Sequence, residues 1–158
     1  MANTLSSRES AGVLAPAPIF FVIASVLGAA IEWFRPSALL VQTYSVAVGA
    51  LLIVVSVFLV LAVLVQMSRA KTSFDAGKPT TVLITTGVFR LSRNPTYLSL
   101  ALLQVGLALA FQSLWVLLLV IPAVAVTHWG VILREERYLH GKFEAEYLQY
   151  SRKVRRWL

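Results

Sequence analysis

Two long stretches of this chain, residues 36–68 and 94–133, contain no Asp, Glu, Lys or Arg. A helix needs roughly 20 apolar residues to cross a hydrocarbon core about 30 Å thick. The first stretch is long enough for one crossing and the second for a hairpin of two. Charge is scarce overall: 13% of residues are charged and 58% hydrophobic, where soluble domains carry about 25% charged residues. No polar segment between the apolar runs is long enough to bury a core of its own. The pattern predicts an all-α integral membrane protein, a four-span helical bundle forming a single domain over residues 1–158.

The spans are expected at 18–34, 44–67, 95–112 and 114–133. Residues 1–15 are polar and rich in small residues, and read as a loosely held terminus. The run after Pro16 and Pro18 resembles the apolar core of a signal peptide, but Arg8 is offset by Glu9, and a first span is the preferred reading. Glu32 lies near the end of that span. A charge inside a span is a functional candidate by default; the plainer reading places it at the headgroups, paired with Arg35. Gly49 and Ala50 would let the second span approach a neighbour closely. Gly77 and Pro79 mark a turn in the connection that follows. Asn94 and Pro95 suit the N-cap and first position of the third span, and Pro122 should kink the fourth.

Lys and Arg set the expected orientation. The connection between spans two and three carries five (Arg69, Lys71, Lys78, Arg90, Arg93), and the tail from Arg134 carries seven. The other two connections carry only Arg35. The positive-inside rule then puts both termini in the cytoplasm. Leu139, Phe143, Tyr147 and Tyr150 recur at helical spacing, which predicts a cytoplasmic C-terminal interfacial helix. Its end, with Arg152, Lys153, Arg155, Arg156 and Trp157, reads as an anchor for anionic membrane lipids.

Several chemistries are excluded or disfavoured. The chain has no Cys, so thiolate nucleophiles and disulfides are absent. His128 and His140 fit no familiar metal pair, so no metal is expected. The +7 net charge belongs to segments flanking apolar spans, which favours cytoplasmic loops over nucleic acid.

One constellation remains. Residues 85–97, TTGVFRLSRNPTY, are the longest polar interruption, and Gly87 there suits a turn with positive φ. Arg93 precedes the third span, and Tyr97 lies one turn inside it. The free N–H groups of that helix start suit an anionic group. His128 and Glu135 are seven positions apart, on one helix face, with Glu136 adjacent. These residues could line a pocket for a zwitterion, or simply form interfacial ion pairs; pattern alone does not choose. His128 and Glu136 are the candidate general bases, with a core hydrogen-bonding role as the plainer reading of His128.

GVFRLSRNPTYLSLALLQVG followed by REERYLHGKFEAEYLQYSRKVRRW resembles the isoprenylcysteine carboxyl methyltransferase family, and the phospholipid N-methyltransferases look similar. The resemblance covers about residues 69–158. It implies an integral-membrane methyltransferase using S-adenosylmethionine, acting on a lipophilic or small acceptor, with a cofactor region at about 79–97 and 128–150. Cofactor contact is carried onto Thr81, Val82, Leu83, Ile84, Gly87, Phe89, Asn94, Pro95, Thr96, Tyr97 and Glu135, with Arg93, His128 and Glu136 nearest the chemistry. Phe89 stands where the family often has Tyr, Asn94 where eukaryotic members have His, and Glu144 where a Gly is usual. Val131 stands where the prenylcysteine enzymes carry a substrate Arg. A different class also fits the length: a small proton-coupled transporter using Glu32, which would need that residue mid-span.

Overall fold

Prolines and small polar residues set the ends of the helices in the computed structural model, which describes residues 15–37, 42–71 and 82–158, without the side chains of residues 42 and 43. The expected loose terminus up to residue 14, the turn at Gly77 and Pro79, and Thr81 lie outside the described residues. Helix α1 (Ala17–Phe34) starts behind Pro16 with Pro18 in its first turn, and Pro36 blocks its continuation. Helix α2 spans Gln42–Arg69. A single 3₁₀ turn, Gly87–Arg90, precedes α3 (Pro95–Ala110). The segment 82–90 is thus the loop with one helical turn that its composition suggests.

After a tight turn at Gln112 (φ +55) the chain folds back. Ser113 caps α4 (Leu114–Leu118) by accepting the Val116 N–H. The helix is interrupted at Leu119 and resumes as α5 (Val120–Thr127). The interruption falls one turn before Pro122, whose missing N–H releases the Leu118 carbonyl. A π turn, His128–Ile132, then leads directly into α6 (Leu133–Lys153). It adds a residue to the helix, so the seven-residue spacing of His128 and Glu135 no longer repeats one face. Helix α6 itself breaks at Glu144, which has φ +39 and ψ −110.

Among the described residues three helices are long and apolar enough to cross a membrane: Ala17–Phe34, Tyr44–Arg69 and the composite Leu114–Lys153, whose apolar part ends at residue 133. Helix α3 is apolar but has only 16 residues. Val22, Ile23 and Val26 on α1 and Leu51, Val54 and Phe58 on α2 face outward. Such a surface needs lipid rather than water around it, and the chain is an integral membrane protein.

Packing relies on small residues more than on large ones, as in bundles where lipid competes for apolar contact. Helix α2 lies along α3. At their crossing a Cβ on Gly49 would stand 2.6 Å from the Ala110 nitrogen, and one on Gly106 would stand 2.9 Å from the Gly49 oxygen. Helix α1 packs on α4 and α5 around Phe21, Ala24 and Ala123. Buried polar groups tie helices together: Ser56 donates to the Ser99 carbonyl at 2.8 Å, and Gln104 to the Val116 carbonyl at 3.3 Å.

Glu32 does not pair with Arg35. Its carboxylate accepts from the Ser37 backbone N–H, the Ser37 hydroxyl (2.7 Å) and the Ser113 hydroxyl (2.6 Å). Ser37 in turn accepts the Leu114 N–H at 3.1 Å. Glu32 therefore joins the end of α1 to the start of α4. Neutral hydroxyls win over the guanidinium because they are fixed beside the carboxylate by the two turns.

Replacing Gly49 with Ala should force α2 and α3 apart and cost about 1–3 kcal/mol, read as a lower melting temperature in detergent. Glu144→Gly should act oppositely. A non-glycine residue at this positive φ costs of order 1–3 kcal/mol, so relief should raise the melting temperature without altering helix content.

Candidate functional site

The site begins at the lead-in to α3. Gly87 has φ +57, and a Cβ there would lie 1.4 Å from the Gln66 side-chain amide. Gln66, from the last turns of α2, clasps the turn on both sides. Its amide nitrogen donates to the Thr86 carbonyl at 3.0 Å, and its oxygen accepts the Val88 N–H at 3.3 Å. Only glycine admits this approach. Pro95 opens α3 and Asn94 holds the N-cap position as expected, but the Asn94 side chain makes no capping hydrogen bond. Asn94 is buried; its side-chain N–H donates to the Arg156 carbonyl at 3.0 Å, and its backbone N–H donates to the Ser92 hydroxyl at 3.0 Å. The first N–H groups of α3, at Thr96 and Tyr97, have no partner within the helix by its geometry.

Two adjacent carboxylates arrive from α6 and are treated differently. Glu135 accepts a 2.6 Å hydrogen bond from the Tyr97 hydroxyl. Glu136 is held by Arg156 through two hydrogen bonds of 2.9 and 2.7 Å. Arg93 reaches Glu136 only at 3.4 Å and donates to the Tyr147 hydroxyl at 3.4 Å. The Arg93 Nε is buried without a partner.

Two residues beyond the apolar run, the Glu135 carboxyl is raised to about 7 by burial. The Tyr97 hydrogen bond opposes the rise and the Glu136 charge adds to it. The Glu136 pairing raises Arg156. Burial raises the Tyr147 and Tyr150 hydroxyls, with the Glu136 charge adding at Tyr147 and the Tyr147 neighbour at Tyr150.

The structure thus brings Arg93, Asn94, Tyr97, Glu135 and Glu136 together. Phe89 joins through its backbone, whose carbonyl accepts the Tyr150 hydroxyl at 2.6 Å. Val82, Leu83 and Ile84 lie in the irregular stretch before the Gly87 turn, with Val82 exposed. His128 takes a different partner: its Nδ1 accepts the Trp157 indole N–H at 3.4 Å, and the two rings stack with centroids 6.4 Å apart. Val131 is 1% exposed and offers no polar contact.

Gln66, Arg156 and Trp157 were not among the expected site residues. Gln66 had a signal, as an amide in an otherwise apolar helix. Arg156 and Trp157 read as lipid anchors; instead both turn inward, while Arg152, Lys153 and Arg155 stay exposed. Among the described residues no group of three His, Cys, Asp or Glu side chains could hold a metal.

Residues 44–146 match the family model described as phospholipid methyltransferase. An uncharacterized protein of Haemophilus influenzae is 44% identical over 62 residues, which is 39% of this chain and 98% of that protein. No solved structure matches.

The Glu135 environment has a consequence for stability against pH. An acid raised from 4.5 to about 7 binds its proton more tightly in the folded state. Between those values the folded chain holds more protons than the unfolded one, so stability falls as pH rises, by up to about 3 kcal/mol in all. The melting temperature in detergent should fall between pH 5 and 7.5, and Glu135→Gln should flatten that slope.

Proposed function

The chain belongs to the phospholipid methyltransferase family, and on that premise we propose an S-adenosylmethionine-dependent methyltransferase acting on a lipophilic or small acceptor reached from the bilayer. One observation carries the reading. At a single helix start, Glu135 is held by one hydroxyl donor and Arg93 keeps a buried, unpartnered Nε. An acid with one neutral partner and a cation with a spare donor, both near the start of α3, suit a ligand bearing both an amine and a carboxylate.

S-adenosylmethionine has those two groups and, when bound, supplies an electrophilic methyl on a sulfonium. Glu135 would hold the amine. Arg93 and the free N–H groups of Thr96 and Tyr97 would hold the carboxylate. The Phe89 and Tyr97 rings would flank the adenine or the sulfonium, and Val82, Leu83, Ile84, Gly87, Asn94 and Pro95 would shape the enclosing backbone. Methyl transfer is an in-line displacement, so positioning can supply most of the acceleration.

The residues suggested as bases are otherwise engaged. Glu136 is closed by Arg156, and the His128 Nδ1 by Trp157. This favours an acceptor that reacts without proton removal, such as a carboxylate or thiolate. A second reading is methylation of a phospholipid amine. The family match favours it, as does Val131, buried where prenylcysteine enzymes carry their substrate Arg.

The proposed topology has four spans, with α3 as the short one and the composite helix leaving the membrane near residue 133. Five and seven basic residues in the second connection and the tail support a cytoplasmic side for those segments and both termini.

Calorimetry on detergent-purified protein should detect S-adenosylhomocysteine. Glu135→Ala should weaken it roughly 10- to 100-fold, the worth of a charge-assisted hydrogen bond, while Glu32→Ala should not. A folded protein that binds none would overturn the proposal. Methyl-label transfer into a lipid and small-molecule extract would then identify the acceptor.

A further inference from the structure

The last residues do not trail away from α6. Val154 ends the helix with its N–H on the Tyr150 carbonyl, and the chain then runs back against the lead-in to α3. The Arg155 carbonyl accepts the Arg93 N–H at 3.0 Å. The Arg156 carbonyl accepts from the Ser92 hydroxyl at 3.2 Å and the Asn94 amide at 3.0 Å. The Arg156 guanidinium covers both oxygens of Glu136, and Trp157 lies on His128. One pentapeptide therefore binds the lead-in to α3, the π turn and the start of α6.

A plain strap would need only the backbone contacts. The Arg156 side chain adds a specific electrostatic effect. Arg93 and Glu136 stand close enough to form a full ion pair, yet their contact is 3.4 Å while Arg156 takes the short bonds. A carboxylate already covered by a bidentate guanidinium draws less on a second cation. We infer that Arg156 is a positioning residue: it occupies Glu136 and so leaves Arg93 available to the anionic group of a ligand. This rests on the cofactor reading above, with Arg93 as the carboxylate anchor.

The inference makes a charge-specific prediction. In Arg156→Gln the freed Glu136 should capture Arg93, and S-adenosylhomocysteine affinity should drop at least tenfold. Arg156→Lys keeps a cation on Glu136 and should lose less affinity than Arg156→Gln. The double variant Arg156→Gln/Glu136→Gln should regain what the single Arg156 change lost. Calorimetry reads all four proteins, with thermal melting in detergent confirming each fold. Parent-like binding by Arg156→Gln would overturn the inference. So would a double variant as weak as the single, which is the behaviour of a purely structural strap. Failure of the parent chain to bind would instead remove the cofactor reading, and this inference with it.

Discussion

Two neighbouring carboxylates at the mouth of a low-dielectric bundle cannot both be left to water, and the site follows from how each is satisfied. Glu136 takes a full guanidinium and the edge of a second. Glu135 takes one phenol. A bidentate guanidinium neutralises a carboxylate, while a single hydroxyl only orients it. The difference leaves Glu136 a fixed part of the frame and Glu135 with one neutral partner. Tyr97 sits on α3 and Glu135 on α6, so the same bond joins the two halves of the hairpin.

The helical irregularities all fall where this arrangement needs them. The break at Leu119 and the π turn at His128–Ile132 turn an apolar helix into one that delivers its first charges beneath the start of α3. A straight helix would carry His128 and Glu135 on one stripe. The added residue separates them, so His128 meets the tail while Glu135 meets Tyr97. Glu144 breaks α6, which lets the segment carrying Tyr147 and Tyr150 fold over the Phe89 turn. The strain at a positive φ is accepted at a position where glycine would carry none.

The apolar helices, the Gly87 turn and the proline start of α3 were legible because each is a local signal. A charge-free run, a residue without Cβ and a ring that fixes φ act wherever they stand. The union of Arg93, Tyr97 and Glu135 was one of two readings of the pattern, with interfacial ion pairs as the other, and the resemblance chose between them. The roles of Gln66, Arg156 and Trp157 were not legible. A basic, aromatic terminus has the same composition whether it lies on headgroups or folds into a site. The choice depends on Glu136, which needs a partner that Arg93 alone does not supply at short range. Asn94 shows the converse. Its residue type suits a cap, but a carbonyl of the returning tail offers its amide a better partner than the helix does.

The two ends of the bundle place a carboxylate in contrasting surroundings, which bears on what the chain can do. Glu32 sits at the end of α1, with three neutral donors fixed around it by two turns. Those donors belong to the join between α1 and α4, so a proton or cation cycling on Glu32 would disturb that join each time. A coupling carboxylate for transport has the opposite requirement: it lies mid-span, and its partners exchange. Glu135, by contrast, takes one hydroxyl partner, Tyr97, from the start of α3. The Glu32 end also borders a cavity lined by Ala29, Trp33, Pro36, Phe111 and Val116, so its carboxylate holds the helix join at the edge of an apolar recess.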